Sequence, residues 1–188
     1  MLGLRLPGLL GKMGDRWVEA MAAAANSVSR AGDVHFRRAV NEDVKALTRL
    51  INAAFRVEQV AFDGDRVNAE GVQKYITTGT FLLAEDATGV LGCVYIEARG
   101  ERSYLGLLSV EPTRQGSGLG RNLMAVAEDL ARCAGSRVMD LRVISPRAER
   151  LLPFYLRLGY RETGTRPFAA DLASKVPAHY ILMSKPLA

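Results

Sequence analysis

The stretch LLSVEPTRQGSGLGRNLM, residues 107–124, joins the end of a predicted strand to the start of a predicted helix. Pro112 ends the strand, and from Gly116 onward three glycines alternate with small or apolar residues. Apolar residues then recur at helical spacing over residues 119–134, and Gly135 ends the predicted helix. Glycines let several backbone N–H groups turn toward one point, beside the positive end of the helix dipole. Taken alone, the segment is either a permissive turn or a phosphate site.

Neither of the two common phosphate-binding motifs fits this glycine segment. The dinucleotide fingerprint requires a glycine where Arg121 stands, and the P-loop requires a lysine followed by serine or threonine, which the segment lacks. The segment still has the parts of an anion site, because Arg114 and Arg121 flank its glycines. A phosphate assignment therefore depends on the surrounding sequence.

The composition is that of a single folded domain. The 188 residues are 48% hydrophobic and 24% charged, which supports a complete core and excludes a disordered chain. The formal charge of +5 weakly favours an anionic partner, but the basic residues are scattered among acidic ones, so we expect no nucleic acid. Cys93 and Cys133 lack metal-ligand spacing, and the chain has no apolar run long enough to span a membrane. We expect a cytoplasmic protein without a metal.

Hydrophobic periodicity and turn residues predict strands and helices over the rest of the chain. Residues 1–33 are predicted to be a helical or frayed extension, and residues 34–188 one α/β domain with a mixed, mostly antiparallel sheet. Asn41 is predicted to cap the first helix, and Gly106 predicts a bend or a close approach of the backbone inside its strand. Strands are predicted at 34–40, 80–86, 90–98, 103–110 and 138–144, from 160, and at 178–187, and helices at 42–56, 72–77, 119–134 and 146–158.

Residues 107–124 resemble the pyrophosphate-binding motif of the GCN5-related N-acetyltransferase (GNAT) family, Q/R-x-x-G-x-G/A. Gln115, Gly118 and Gly120 occupy its defined positions, after a strand that ends in Val-x-Pro. A second stretch, LLPFYLRLGY at residues 151–160, resembles the F-Y-x-x-x-G-F/Y helix end of the same family. The resemblance implies a sheet that is splayed between its fourth and fifth strands, with helices on both faces.

The same resemblance implies acetyl-CoA as the acyl donor. Backbone groups near Leu108 and Val110 would bond the pantetheine arm as a neighbouring strand does, and the N–H groups of residues 115–120 would hold the pyrophosphate. Ser145 stands where relatives often place a cofactor-binding asparagine, which leaves that contact open. The implied cofactor residues are Leu108, Ser109, Val110, Gln115, Gly116, Ser117, Gly118, Leu119, Gly120, Arg121, Ser145 and Tyr155.

Tyr155 is the general acid that the resemblance implies, because a phenol can protonate the departing thiolate. The fourth strand lacks the glutamate that serves many relatives as the base, so Glu97 on the neighbouring strand is the first candidate. Glu58, Asp63 and a chain of waters are the alternatives. Packing or strand roles, rather than catalytic ones, are assigned to Cys93, Cys133, His35 and His179.

The sequence therefore predicts an acetyl-CoA-dependent N-acetyltransferase that moves an acetyl group to a primary amine by direct transfer in a ternary complex. The acceptor is a small-molecule or protein amine that no motif identifies. The acidic residues of segment 57–71 favour a cationic acceptor, and Phe168 is a candidate for lining its side of the site. The sequence does not decide between a monomer and a homodimer. The alternative is a non-catalytic acyl-CoA-binding or sensing module, which the missing carboxylate on the fourth strand keeps under consideration.

Overall fold

The computed structural model describes residues 34–59, 61–168 and 174–187, so the predicted extension at 1–33 lies outside the described residues. The described residues form a seven-stranded sheet and four α-helices. The strands are β1 (His35–Arg38), β2 (Thr80–Asp86), β3 (Gly89–Arg99), β4 (Arg102–Val110), β5 (Val138–Ile144), β6 (Arg161–Pro167) and β7 (His179–Pro186). The helices are α1 (Val44–Phe55), α2 (Ala69–Thr78), α3 (Leu119–Cys133) and α4 (Ala148–Arg157).

The sheet has the strand order β1-β2-β3-β4-β5-β7-β6. Every neighbouring pair is antiparallel except β4 with β5, which run parallel. These two strands pair only at their first residues, from Arg102 opposite Val138 to Tyr104 opposite Asp140. Beyond that point they diverge. The predicted mixed sheet, splayed between its fourth and fifth strands, is confirmed.

Helices cover both faces of the sheet, as predicted, and each face has its own apolar cluster. The face under α1 and α2 is built by Leu47, Leu50, Ile51, Val72, Phe81, Leu83, Cys93 and Tyr95, together with Ala39. The opposite face carries α3 and α4, and its buried residues include Leu82, Val94, Ile96, Leu105, Leu123, Met124, Leu130, Leu141, Val143, Tyr155 and Tyr160. Since successive strand residues point to opposite faces, β2 supplies Phe81 to one cluster and Leu82 to the other.

The diverging ends of β4 and β5 contrast with their paired ends. We call residues 102–104 and 138–140 the closed end of this strand pair, and residues 105–110 and 141–144 the open end. At the closed end Arg102 donates a hydrogen bond to Asp140 at 2.7 Å, and Ser184 of β7 donates a second one to the same carboxylate. Burial opposes the charged form, yet the hydrogen bonds from Arg102 and Ser184 hold the pKa of the Asp140 carboxyl below its usual range. Side chains from three strands thus hold the closed end together.

A β-bulge interrupts β4 at the open end. Tyr95 of β3 lies opposite Gly106, but Cys93 lies opposite Ser109, so two residues of β4 stand against one of β3. Leu107 has a positive φ of 50°, a conformation that is unusual for a residue with a side chain. The irregularity predicted at Gly106 is therefore present one residue further along the strand.

Two helix starts differ from the sequence prediction. Asn41 does not cap α1, because residues 41–43 form a short 3-10 turn in which the Asp43 carboxylate accepts the Val40 N–H at 2.8 Å. Arg37 holds that carboxylate with two further hydrogen bonds. Helix α2 begins at Ala69, three residues earlier than predicted, because the side chain of Asn68 accepts the Gly71 N–H at 2.8 Å and caps it.

Candidate active site

A cavity of about 610 Å³ lies in the gap where β4 and β5 diverge. At one extreme are the glycine segment and the start of α3, which we call the glycine end. At the other extreme are Tyr75, Tyr104 and Tyr180, which we call the tyrosine end. From Val110 back to Tyr104 is six residue steps along β4, about 20 Å for an extended strand. The cavity therefore extends along β4, and an extended ligand can lie beside that strand.

The glycine end is built to hold an anion. Gly116 and Gly118 have φ values of 82° and 92°, and a Cβ at either position would meet no atom within 4 Å, so their backbone faces open space. No side chain caps α3. Within the described residues, no hydrogen-bond acceptor is found for the N–H groups of Gly118, Leu119 and Gly120. These unpaired donors lie at the positive end of a 15-residue helix, which is the arrangement that binds phosphate.

Eight of the twelve residues predicted to contact the cofactor line this cavity, and four do not. The lining residues are Leu108, Val110, Gln115, Gly116, Gly118, Gly120, Arg121 and Tyr155. Two of the other four residues donate a hydroxyl hydrogen bond to the backbone nearby, Ser109 to the Leu107 carbonyl at 3.1 Å and Ser117 to the Arg114 carbonyl at 2.7 Å. Ser145 accepts the N–H of His179 at 3.0 Å, and Leu119 is buried in the core.

The bulge directs one backbone donor into the cavity. The carbonyl of Leu107 accepts from Ser109 at 3.1 Å and from the thiol of Cys93, on β3, at 3.9 Å. In a trans peptide the carbonyl and the following N–H point in opposite directions, and the described residues contain no cis bond. The N–H of Leu108 therefore points away from β3 and toward the gap between β4 and β5.

Tyr155 lies in the cavity wall between the two ends. The residue is 8% exposed, and its ring packs edge-on against those of Phe154 and Tyr160, with centroids 5.1 and 6.0 Å away. Its hydroxyl makes no hydrogen bond within the described part of the chain. Burial raises the pKa of Tyr155 well above its usual value, and the nearby Tyr104 and Glu58 add to the rise. The phenol thus stays protonated at neutral pH, with its proton available to a ligand.

The raised pKa makes Tyr155 a weaker acid than the sequence prediction assumed. That prediction compared a phenol and a thiol in water, where their pKa values differ little. A thiolate that forms in the same enclosed cavity also loses solvation, and its own pKa rises for the same reason. In the cavity, the pKa of the Tyr155 phenol and the pKa of the departing thiol therefore differ by less than the shift of Tyr155 alone suggests.

Glu58 is the carboxylate that the structure brings to Tyr155. It lies in a 3-10 turn after α1, is 8% exposed and lines the cavity. Burial raises the pKa of the Glu58 carboxyl, and the positive charges of Arg66 and Arg147 offset part of that rise. Its carboxylate accepts no hydrogen bond from any residue that the structure describes. A buried carboxylate with a raised pKa, close to a protonated phenol, is the arrangement of a general base and a general acid.

The other two candidates for the base do not line the cavity. Glu97 accepts two hydrogen bonds from Arg99, at 2.9 and 2.8 Å, and this contact lowers the pKa of the Glu97 carboxyl. Asp63 is exposed and forms an ion pair with Lys175 at 2.6 Å. Of the three carboxylates predicted from the sequence, the geometry favours Glu58 for proton transfer.

Neither the cysteines nor the histidines line the cavity. Burial raises the pKa of the Cys93 thiol to about 12, so it is protonated at neutral pH and cannot carry an acyl group as a thiolate. Cys133 is the last residue of α3. His35 is exposed on β1 at the sheet edge, and His179 is exposed at the start of β7.

The tyrosine end contains residues that sequence reasoning missed. The guanidinium of Arg142 lies 5.1 Å from the ring centroid of Tyr104 and 5.6 Å from that of Tyr180. The Tyr104 ring folds along its own strand over Gly106, where a Cβ would come within 3.0 Å of it. Phe168 packs on Tyr180 at 4.4 Å, behind the cavity wall rather than in it. A signal was present, since Met139, Leu141 and Val143 alternate on one side of β5 and so place Arg142 on the other.

In the part of the chain that the structure describes, no group of three or more His, Cys, Asp or Glu side chains is arranged to hold a metal ion. None of the described helices is both long enough and apolar enough to cross a membrane.

A family model described as an acetyltransferase (GNAT) domain matches residues 51–178. The match covers more than half of the chain and includes the glycine segment, β5 and α4. The chain belongs to the GNAT acetyltransferase family. No curated protein gave a match to the sequence.

Solved structures share the fold. The ribosomal-protein-S18-alanine N-acetyltransferase from Escherichia coli aligns with a TM-score of 0.65 at 18% identity, covering 82% of this chain and 94% of that one. A putative acetyltransferase from Salmonella typhimurium, solved with acetyl-CoA, gives 0.67 at 22% identity, with coverages of 84% and 95%. The ribosomal-protein-alanine N-acetyltransferase from Brucella melitensis gives 0.66 at 20% identity, with 80% and 98%. At these identities the likeness establishes the fold alone.

Proposed function

We propose that the protein transfers the acetyl group of acetyl-CoA directly to a primary amine, within a ternary complex of enzyme, donor and acceptor. The observation that carries this proposal is that Glu58 and Tyr155 line one cavity with the glycine end. A base, an acid and an anion cradle along one channel are what direct acyl transfer to an amine requires. The membership of the GNAT family supports acetyl-CoA as the donor.

Each part of the cavity has a task in this reaction. The unpaired N–H groups of Gly118, Leu119 and Gly120 hold the pyrophosphate, and the pantetheine arm lies along the unpaired edge of β4. This places the thioester near the bulge. The N–H of Leu108 then donates to the carbonyl oxygen as negative charge develops on it.

Three proton movements complete the transfer. The acceptor binds as an ammonium ion and loses a proton to Glu58, whose carboxylate has no hydrogen-bond donor of its own among the described residues. The free amine attacks the thioester carbonyl, and the carbon–sulfur bond breaks after the carbon–nitrogen bond has formed. Tyr155 gives its proton to the departing sulfur, and the tyrosinate takes back the second proton that the attacking nitrogen must lose. The products are the acetylated amine and the free thiol, and Glu58 releases its proton to solvent.

The test is an assay of thiol release from acetyl-CoA over a panel of small amines and peptides, with the acetylated product identified by mass spectrometry. We expect turnover with at least one amine, and initial-rate lines that intersect when both substrates are varied. Parallel lines would contradict direct transfer and favour an acyl-enzyme. Tight acetyl-CoA binding without turnover on any amine would favour the non-catalytic binding module.

A further inference from the structure

The tyrosine end carries arginines that form no ion pair with a described carboxylate. Arg66, Arg142 and Arg147 line the same cavity as Glu58. No carboxylate lies within 4 Å of any of these three guanidinium groups among the described residues. Other arginines of the described residues do form ion pairs, as Arg102 does with Asp140. Three cations and one buried carboxylate leave this end of the cavity with a net positive charge.

Aromatic rings, rather than carboxylates, hold two of these arginines in place. Arg142 lies beside the rings of Tyr104 and Tyr180, and Arg66 lies 5.2 Å from the ring centroid of Phe55. Stacking on a ring orients a guanidinium group and leaves its N–H groups free to bond something else. Both arginines are exposed to the cavity opening, so a ligand can reach them.

Tyr104 connects these arginines to the acid and base. Burial raises the pKa of Tyr104, and the nearby charges of Arg142 and Arg66 lower it in part. Electrostatic interactions with Tyr104 and Glu58 in turn raise the pKa of Tyr155. Because Glu58, Arg66 and Arg142 also line one cavity, an acceptor whose amine lies at Glu58 can extend toward the two arginines.

We propose that the acceptor carries an anionic group as well as its amine, and that Arg142 and Arg66 bind this group. The proposal rests on the proposed function, because it names the acceptor class of the same site. A carboxylate and a phosphonate share the chemistry that a planar guanidinium group recognises. The acceptor is then a small amino acid or aminophosphonate, and an amine without the anion leaves both arginines unneutralised. This replaces the simple cationic acceptor that the sequence favoured.

The test measures binding first, so that it does not depend on turnover. Calorimetric titration of the CoA-saturated protein uses glycine, β-alanine and L-phenylalanine, each beside its amide and beside the amine that lacks the carboxyl group. Titration with 2-aminoethylphosphonate shows whether the site prefers a phosphonate to a carboxylate. We expect at least one acid to bind about tenfold or more tightly than its amide and its amine, since hydrogen bonds between charged groups contribute on this scale.

Matched variants assign the preference to the two arginines. Arg142→Gln and Arg66→Gln are each expected to reduce the preference for the acid about tenfold, while the affinity for CoA stays the same. Arg161→Gln removes an arginine on the exposed strand β6, outside the cavity, and should leave the preference intact. Arg142→Lys keeps the charge without the planar group. If Arg142→Gln loses the preference for the acid through loss of charge rather than loss of folding, Arg142→Lys should retain part of that preference.

The outcomes separate this proposal from the proposed function. Equal binding of acids, amides and amines, or a preference that both glutamine variants keep, would overturn the anion site. A preference that the two variants abolish, without thiol release from acetyl-CoA, would support the anion site and contradict the transferase. Preferential acetylation of peptides with a blocked carboxyl terminus would show that the acceptor is a protein and would overturn the assignment to a small acid.

Discussion

The closed end and the open end of the β4–β5 pair lie in the same two strands and differ in what bonds the backbone. At the closed end, three residues of each strand pair, and the side chains of Arg102, Asp140 and Ser184 reinforce them. At the open end, β4 bulges at Leu107 and no residue of β5 pairs with it. One end holds the sheet together, and the other leaves backbone groups for a ligand.

Stability and chemistry are therefore assigned to different residues around the same two strands. Substitutions that alter the surface of the cavity beside the open end, without removing core packing, should change binding or turnover and alter folding little. Substitutions of Arg102, Asp140 or Ser184, which hold the closed end together, should change folding and alter chemistry little. Three substitutions around the cavity and one at the closed end test this division, and the first has the largest expected effect.

Gly118→Glu should reduce the affinity for acetyl-CoA about a hundredfold or more, because it places a side chain and a negative charge in front of the unpaired N–H groups. Gly135→Glu is the matched control, since Gly135 has a similar φ of 88°, equally open surroundings and a place after α3 away from the cavity. Both variants carry the same backbone strain. Calorimetric titration with acetyl-CoA checks this, and unchanged affinity in Gly118→Glu would overturn the pyrophosphate assignment.

Glu58→Gln should lower kcat/KM about a hundredfold, the usual contribution of a general base. Glu97→Gln is the control, and it should leave kcat/KM nearly unchanged because Glu97 pairs with Arg99 outside the cavity. If Glu97→Gln is the more damaging change, the assignment of the base is wrong.

Glu58 also predicts a dependence of stability on pH. Burial raises the pKa of its carboxyl in the folded state, so the folded protein favours the protonated form. Stability is therefore lost as the pH rises from the unfolded pKa through the folded one. Glu58→Gln should raise the melting temperature at pH 8 by on the order of 2 °C and leave it nearly unchanged at pH 4. A lower melting temperature at pH 8 would show that Glu58 stabilises the fold.

Tyr155→Phe should lower kcat about tenfold and leave the affinity for acetyl-CoA unchanged. A tenfold loss is at or below the low end of what a general acid contributes to the rate. The change removes only a hydroxyl that bonds no described residue, so the packing against Phe154 and Tyr160 remains. Tyr160→Phe is the control, because the Tyr160 hydroxyl donates to buried Glu128 at 3.1 Å, and its loss should affect stability alone. Steady-state kinetics and thermal unfolding of both variants give the comparison, and equal kcat in Tyr155→Phe would assign that residue to the core.

Asp140→Asn should reduce the free energy of unfolding by about 1 kcal/mol, since the pair with Arg102 is half-exposed. The pKa of Asp140 is lowered in the folded state, so its contribution is present above the unfolded pKa and lost as the pH falls through the folded one. Urea denaturation at pH 7 and pH 3 should show a larger difference from the unsubstituted protein at pH 7 than at pH 3. A large change in kcat would mean that the two ends are not independent.

The glycine end could be predicted because its parts are consecutive in the chain. A strand, a glycine turn and a helix start within residues 107–124 suffice to place the unpaired N–H groups. The tyrosine end joins Arg66, Tyr104 and Arg142, which lie on three separate parts of the chain. No local pattern states that these residues meet, because the meeting depends on how α1 and α2 pack on the sheet.

Glu97 and Glu58 differ in how far the sequence predicts their surroundings. Glu97 and Arg99 are two positions apart on one strand, so their side chains point to the same face and can form a pair. That spacing already argued against a free carboxylate at Glu97. Nothing in the sequence indicated that the turn after α1 would bury Glu58 in the same cavity wall as Tyr155, because the residues of that wall are distant from one another in the chain.

Gly106 has a consequence for how this site changes during evolution. Its missing Cβ gives the Tyr104 ring room to fold along β4, and that ring supports Arg142. A larger residue at 106 would displace the ring and with it the guanidinium group. Positions 104, 106 and 142 are therefore expected to vary together among homologues, with the glycine retained wherever the tyrosine and arginine are both present. An acquired side chain at 106 would mark lineages that have turned to a different acceptor.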